Sequence, residues 1–439
     1  MFELTRRGLL RGAAAVGAAL SPLSLIKAEA VEPPQKHPTM RKVKFEGRSR
    51  IRIGLIGTGG RGRSLLGDFL AVPDVDVVAI CDINPDAVKG AVAQITKAGK
   101  PAPATYGATE REFEKLNRRD DIDLVVIATP WDWHVPMAVD AMKSGKHTAV
   151  EVPAAVTLKQ CWELVDTSEA TRKHCVILEN CCYGYNEMMV LNMCQQGVFG
   201  ELTHGEAAYI HDLRGLLFAT YSEGLWRRKP HAMRNGNLYP THGLGPVAQY
   251  MGVHSGDRFE SIVSVSSAEK SLTAYGKKNL KAGDARLSEK YVCGDMNTSI
   301  IKTVKGRTIM LQHDVVTPRP YSRHNMIAGT EGTFADYPAR IYLDSMGNDE
   351  WKDLTSFKDR YEHPLWKKSG DYARKYSGHG GMDFLMCARL IECMRDGLAP
   401  DMDVYDAAAW SAPTPLSEAS VAKGGSAQKF PDFTRGNWK

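Results

Sequence analysis

Between Ile51 and Gly62 the chain reads Ile-Arg-Ile-Gly-Leu-Ile-Gly57-Thr-Gly59-Gly-Arg-Gly62. An apolar run ends in G-x-G-x-x-G, and Arg63 to Ala71 then has the spacing of an amphipathic helix. Each glycine has a physical reason. The first permits a tight strand-to-helix turn, the second lets a pyrophosphate approach the backbone, and the third lets the helix pack on the strand. Free N–H groups and the positive end of the helix then favour phosphate. A second apolar run, Val75 to Ile80, leads to Cys81-Asp82. Asp82 falls about 20 residues beyond the motif, where a carboxylate accepts hydrogen bonds from the adenosine ribose. The same charge repels a 2′-phosphate, which favours NAD over NADP.

The 439 residues suggest two or three domains. A net charge of +5 with no dense basic run argues against nucleic acid as a partner. Residues 1–30 read as a targeting segment. Thr5-Arg6-Arg7-Gly8-Leu9-Leu10 has the pattern of a twin-arginine export signal, an alanine-rich stretch follows to Leu25, and Ala28-Glu29-Ala30 offers a cleavage site. The stretch is short for a membrane span. A periplasmic protein without stable membrane insertion is expected after cleavage, and an anchored one if the signal is kept. A basic arm with no targeting role is the competing reading. The nine cysteines are odd in number and irregular in spacing, which argues against a disulfide framework or a zinc site. They read as small buried hydrophobes, and no metal is expected.

Residues 31–50, with Pro33, Pro34 and Pro38, read as a linker. From residue 51 strands and helices alternate. Helices are expected over 86–98, 111–116, 135–144 and 159–171. Leu124 to Ala128 is a continuous apolar run of the kind buried on both faces of a parallel sheet. Strands at 145–151 and 175–178 complete a doubly wound nucleotide-binding domain over 51–176. After a helix at 187–196 the pattern changes. Strands are expected at 203–210, 261–265, 299–304, 307–312 and 324–328, with a hairpin turn at Gly306. The fold class is thus α/β followed by α+β: an N-terminal Rossmann sheet, then a mostly antiparallel open sheet within a substrate domain over 177–439. The last twenty residues, rich in Gly, Ser and Lys, read as surface loop or tail.

This arrangement resembles the Gfo/Idh/MocA oxidoreductases in Gly57–Gly62, Asp82, Thr129-Pro130…His134, and Gly145-Lys146-His147 leading to Glu151. The resemblance sets the cofactor against Gly57, Thr58, Gly59, Arg61, Gly62, Asp82, Thr129, Trp131, His134 and Glu151. Ordinary members carry Glu-Lys-Pro, with the lysine assisting proton removal from the sugar hydroxyl. This chain has Glu151-Val152-Pro153, and valine transfers no proton. A narrower resemblance accounts for the difference. Glu179-Asn180-Cys-Cys-Tyr183, His211-Asp212-Leu-Arg214-Gly215, Trp226-Arg227, Arg234 to Pro246, Gln312 to Arg323 and Gly378-His379-Gly380-Gly381 are similar to glycoside hydrolase family 109. That family's activity is α-N-acetylgalactosaminidase with tightly bound NAD.

The resemblance implies oxidation of C3, loss of the C2 proton, elimination at C1, addition of water and re-reduction. The partner is then a small glycoside or glycan, and a homo-oligomer is expected. Tyr183 is the candidate base for C2–H and His242 the candidate for the C3 hydroxyl. Tyr239 stands one turn from His242 if 238–243 is helical, and with Tyr321 it completes the catalytic set. Arg227 and Tyr321 are expected to bind sugar hydroxyls or the acetamido group, joined by Tyr239, His242 and His379. Trp131 and Trp133 are candidates for stacking on nicotinamide or sugar, with core packing as the alternative. Two other readings stay open. A sugar oxidoreductase resembling glucose–fructose oxidoreductase expects lysine at Val152, and a cofactor-retaining binding protein would show no turnover.

Overall fold

Six parallel strands share one sheet because their apolar runs are covered on both faces by helices. In the computed structural model, which describes residues 34–376 and 378–439, they are β1 (Ile51–Ile56), β2 (Val75–Cys81), β3 (Ala104–Tyr106), β4 (Leu124–Ile127), β5 (His147–Val150) and β6 (Cys175–Ile177). The expected export signal lies outside the described residues. The strand order is β3-β2-β1-β4-β5-β6. The crossover between β1 and β4 opens a crevice at their carboxyl ends, the usual ligand position in such sheets. All four β4 side chains are fully buried, each contributing about 1.5–3 kcal/mol. The connecting helices are α1 (Gly60–Ala71), α2 (Pro85–Lys97), α3 (Phe113–Asn117), α4 (Trp131–Lys143) and α5 (Leu158–Thr171). Helix α4 starts four residues before the expected Val135. Pro136 sits inside the helix and forgoes one backbone hydrogen bond.

A short 3-10 turn, Asn180–Tyr183, leads into α6 (Tyr185–Gln195) and β7 (Leu202–Ile210). Helices α7 (Arg214–Leu217), α8 (Lys229–Met233) and α9 (Thr241–Tyr250) follow, then β8 (Phe259–Ser266), α10 (Ser271–Asn279), β9 (Asn297–Thr303) and β10 (Thr308–Asp314). The sheet continues with β11 (Met326–Gly329), β12 (Gly332–Ala335), β13 (Arg340–Leu343) and β14 (Lys352–Asp353). Four helices come next: α11 (Lys358–Tyr361), α12 (Pro364–Tyr376), α13 (Met382–Asp396) and α14 (Val404–Ser411). Last are α15 (Pro413–Ala422) and β15 (Gln428–Lys429). The second sheet has nine strands in the order β14-β13-β12-β11-β7-β10-β9-β8-β15. Its pairings are antiparallel except β10 with β7. Strand β11 begins two residues late because His324 and Asn325 adopt left-handed backbone. Helix α9 lies close on β7, since a Cβ at Gly243 would meet the Ala208 nitrogen at 2.4 Å.

Both expected loose ends are packed. In the supposed linker, Met40 and Phe45 are buried, Arg41 pairs with Asp403 at 2.5 Å, and the Tyr405 hydroxyl lies 2.8 Å from Thr39 Oγ1. In the supposed tail, Phe430 and Phe433 are buried, Phe433 lies 4.7 Å from the Trp162 ring, and Arg435 donates to Glu169 at 2.9 Å. Isolated aromatic anchors in polar surroundings carry too little periodicity to be read as core. All nine cysteines are unpaired, and eight are buried. No described helix is long and apolar enough to cross a membrane.

The three motif glycines separate into structural and open positions. Gly57 has φ +87°, and a Cβ there would meet the Ala128 carbonyl oxygen at 2.6 Å; a Cβ at Gly62 would meet the Gly57 oxygen at 1.9 Å. Nothing lies within 4 Å of a Cβ at Gly59. Gly62→Ala should therefore destabilise the protein by about 3 kcal/mol, while Gly59→Ala leaves the thermal midpoint unchanged and weakens only dinucleotide binding. Thermal unfolding paired with a binding titration checks both.

Candidate active site

One cavity of about 770 Å³ extends from the glycine turn to the α9 side of the second sheet. Gly57, Gly59, Arg61, Asp82, Thr129, Trp131, His134, Glu151, Arg227, Tyr239, His242, Tyr321 and His379 all line it. Trp133 and Val152 line it as well. Three expected site residues do not. Gly62 lies beneath the turn. Thr58 is buried, with its N–H donating to Asp82 Oδ2 at 2.7 Å and its hydroxyl at 3.2 Å. It therefore acts by orienting Asp82, whose other oxygen accepts from the Asn84 N–H at 2.8 Å. Tyr183 is the third.

The Tyr183 side chain packs beside Leu390, Cys393 and Met402, on the far side of its turn from the cavity. Its hydroxyl donates to Asp401 Oδ2 at 3.1 Å, and Trp366 Nε1 donates to its carbonyl at 3.1 Å. Burial and the Asp401 charge push its phenol well above the usual range, the wrong direction for a base. The buried phenol found its acceptor elsewhere.

At the cavity's inner wall His242 Nδ1 lies 2.8 and 3.0 Å from the two oxygens of Glu179. Glu179 follows β6 and is fully buried, and His242 opens α9. Burial alone would raise the Glu179 carboxyl, but His242 and the Cys181 N–H outweigh it and hold it below the ordinary value. Nδ1 being engaged, Nε2 is the ring nitrogen left for a ligand. Around this pair stand aromatic rings. Tyr239 is 4.9 Å from His242 and nearly perpendicular to it, and Tyr209 is 4.6 Å from Tyr239 and 5.4 Å from His242. The Tyr209 hydroxyl lies 2.9 Å from His211 Nδ1. Tyr239 itself precedes α9, not within a helix as expected, yet the two rings still meet.

Arg227 lies 5.2 Å over the Trp131 ring and 4.8 Å over the Tyr239 ring, and it pairs with Glu223. Trp226 meets Trp131 edge-on at 5.1 Å. The Tyr321 hydroxyl accepts from Arg323 at 3.2 Å, and Arg323 pairs with Glu187 and donates to Cys181 Sγ at 3.1 Å. Toward the glycine turn Arg61 spans Glu151 at 2.6 Å and Asp383 at 2.8 Å. Each ring nitrogen of His134 lies 2.8 Å from a carbonyl oxygen, of Pro153 and of Thr129. Burial lowers its pKa against both, and the ring fastens the β4 loop to the 151–153 turn.

Glu179, Cys181 and His242 place donor atoms within 4.8 Å of one another, a spacing open to a cation. A metal there would have to displace the Glu179–His242 hydrogen bond and sit beside the Arg323 charge. The arrangement therefore reads as a proton-handling pair. The sequence pattern includes Glu179, Asn180 and His211 without assigning them a role, and nothing in it singles out Tyr209 or Asp383. The available signal for Glu179 and Tyr209 was position: an acid just past a parallel strand, and a tyrosine near the end of β7.

Comparison with known proteins adds to this geometry. Residues 51–179 match the model of an oxidoreductase family with an NAD-binding Rossmann fold. Residues 183–439 match the glycosyl hydrolase 109 C-terminal domain. A glycosyl hydrolase family 109 protein of Solibacter usitatus is 56% identical over 441 residues, covering 100% of this chain and 99% of the relative. One from Saccharopolyspora erythraea is 52% identical, covering 99% of this chain and 95% of the relative. Among solved structures, an oxidoreductase domain protein of Kribbella flavida matches with TM-score 0.69 at 18% identity. Levoglucosan dehydrogenase in complex with NADH and L-sorbose matches with TM-score 0.69 at 19% identity. Each covers 88% of this chain and 100% of the matched one, and at such identity the likeness is of fold.

The placement of Tyr183 gives a direct expectation. Tyr183→Phe removes one buried hydrogen bond, costing about 1 kcal/mol, and should leave kcat within a factor of about 3 because the ring touches no part of the cavity. Steady-state kinetics beside thermal unfolding checks it.

Proposed function

The chain belongs to glycosyl hydrolase family 109, and from that premise we propose that it cleaves α-N-acetylgalactosaminides with NAD held throughout the cycle and no net redox change. The residues present fit the dinucleotide. Gly59 leaves open space where a side chain would fill the phosphate position, the α1 N-terminus faces it, and the Asp82 carboxylate is already oriented for a ribose. Thr129, Trp131, His134, Glu151 and Asn180 line the way toward the sugar. Bound NAD supplies a reversible two-electron acceptor for C3, and a C3 ketone makes the C2 carbanion an enolate.

The observation carrying the reading is His242, backed by the buried Glu179, in the same cavity as the glycine turn. His242 Nε2 takes the C3 hydroxyl proton while Nδ1–H donates to Glu179, whose charge stabilises the imidazolium. Tyr209 takes the C2 proton in place of Tyr183. Burial keeps its phenol above the usual range even against the Arg227 charge, so it serves as base by passing its own proton to His211 Nδ1, 2.9 Å away, as it takes the one from C2. Trp131, Trp226 and Tyr239, with Arg227 among them, form the wall that keeps water from the sugar face. Tyr321 and Arg323 meet its hydroxyls or acetamido group. An ordinary glycosidase needs two opposed carboxylates, and three of the four lining acids are otherwise employed. Asp82 is held by backbone, Glu151 by Arg61 and Glu223 by Arg227. Val152, buried at the cavity, cannot accept a hydroxyl proton, which leaves that task to His242.

Protein purified with its NAD should release nitrophenol from an aryl α-N-acetylgalactosaminide without added cofactor, in an assay run across a panel of nitrophenyl sugars. Sugar release with stoichiometric NADH accumulation would mark an oxidoreductase instead. Turnover in heavy water should place deuterium at C2. Glu179→Gln and His242→Ala should each lower kcat by about 10³-fold while NAD stays bound. We also propose twin-arginine export to the periplasm, since that route carries folded, cofactor-loaded proteins; replacing Arg6 and Arg7 by lysine should leave the protein in the cytoplasmic fraction.

A further inference from the structure

Asp383, near the start of α13, has no exposed surface and does not line the cavity. Three side chains that do line it converge on its carboxylate. Arg61 donates to Oδ2 at 2.8 Å and to Oδ1 at 3.3 Å. Asn180 Nδ2 donates to Oδ1 at 2.6 Å, and His379 Nδ1 lies 2.8 Å from Oδ2. The three come from the nucleotide turn, from the end of β6 and from the Gly378–Gly381 turn. A buried charge with that many donors is held by them, and it holds them in turn.

Arg61 is the telling partner. It is the second residue of α1, where the helix end already carries partial positive charge and a cation is disfavoured. Two carboxylates from outside the helix compensate, Glu151 at 2.6 Å on Nε and Asp383 on the terminal nitrogens. With those donors committed, the guanidinium is fixed in one orientation, and Arg61 lines the cavity together with the glycine turn that receives a pyrophosphate. Without Asp383, Glu151 alone grips one edge of the fork. Asn180 loses its amide partner at the same time, and the half-exposed His379 loses its tether.

We propose that Asp383 is a positioning residue for the bound dinucleotide, acting through Arg61, Asn180 and His379 to slow the departure of NAD. The proposal rests on the reading that NAD occupies this cavity. It gives the family-specific C-terminal part of the chain a task within the nucleotide site. A cofactor used in every turnover without being consumed needs a long residence, and a buried hub shared by three lining residues supplies one.

The test uses full-length protein purified with NAD. The variants are Asp383→Asn, Asn180→Ala and the more exposed His379→Ala, which removes one arm without opening the core. NAD content after dialysis and the NAD dissociation rate are measured, together with apparent NAD affinity and kcat at saturating NAD. Asp383→Asn should lose NAD about tenfold faster or more, with the larger effect on NAD affinity and the smaller on kcat. His379→Ala and Asn180→Ala should lose it faster than wild type by a smaller factor. Dissociation from Asp383→Asn at the wild-type rate overturns the proposal. If Asp383→Asn does not fold, wild-type dissociation from both single-arm variants overturns it equally. Wild-type protein that holds no NAD would instead defeat the underlying reading, so the two failures are distinguishable.

Discussion

A carboxylate with no exposed surface stays charged only if its surroundings replace the water it gave up. Glu179 meets that condition through the His242 ring and the Cys181 backbone N–H, and the consequence reaches well beyond the pair. Glu179 terminates the parallel sheet and His242 opens the helix that lies on the second sheet. The bond between them spans the junction of the two layers, so the energetic requirement of one buried charge fixes where the cavity closes. The ring orientation that satisfies Glu179 is also the one that leaves Nε2 unengaged by it.

The same economy governs the other acids. Glu151, Glu223 and Asp383 each face an arginine, and Asp82 faces backbone and a threonine hydroxyl. Arginine suits these places because its planar fork serves two anions and still stacks on aromatic faces, as Arg227 does with Trp131 and Tyr239. Charges spent on holding one another are unavailable as freestanding acid and base. On the proposed reading, proton handling falls to imidazole and phenol, groups whose acidity responds to neighbours. That division suits chemistry in which a cofactor lends the electron movement and the chain manages protons and position.

Much of the nucleotide layer was legible in the sequence because it is written locally. Gly57, Gly59 and Gly62 sit at fixed offsets, Asp82 follows at a set distance, and the β4 run is unmistakable. The resemblance likewise carried His242, Tyr239, Arg227 and Tyr321 into the cavity. What escaped was decided by contacts remote along the chain. Asp383 meets Asn180 across 203 residues, and no local pattern marks that. Tyr183 neighbours Glu179 and Asn180 in sequence, but a single 3-10 turn carries its ring to Asp401, so adjacency misled. Phe45, Phe430 and Phe433 lie in proline- or glycine-rich surroundings whose composition hides their burial. Tyr209 was visible as a strand residue, and only the packing of α9 on β7 gives it a task.

Thr39, Tyr405, Glu169 and Arg435 form a continuous hydrogen-bonded chain, at 2.8, 2.6 and 2.9 Å. The beginning of the described polypeptide and its last residues are thereby knotted to one spot on α5 and α14. Fraying ordinarily works inward from loosely held segments, and these two segments are fastened to each other through buried side chains. Among the described residues, opening at Thr39 or at Arg435 must then break a hydrogen-bonded chain that the other shares, so the two stretches loosen together or not at all.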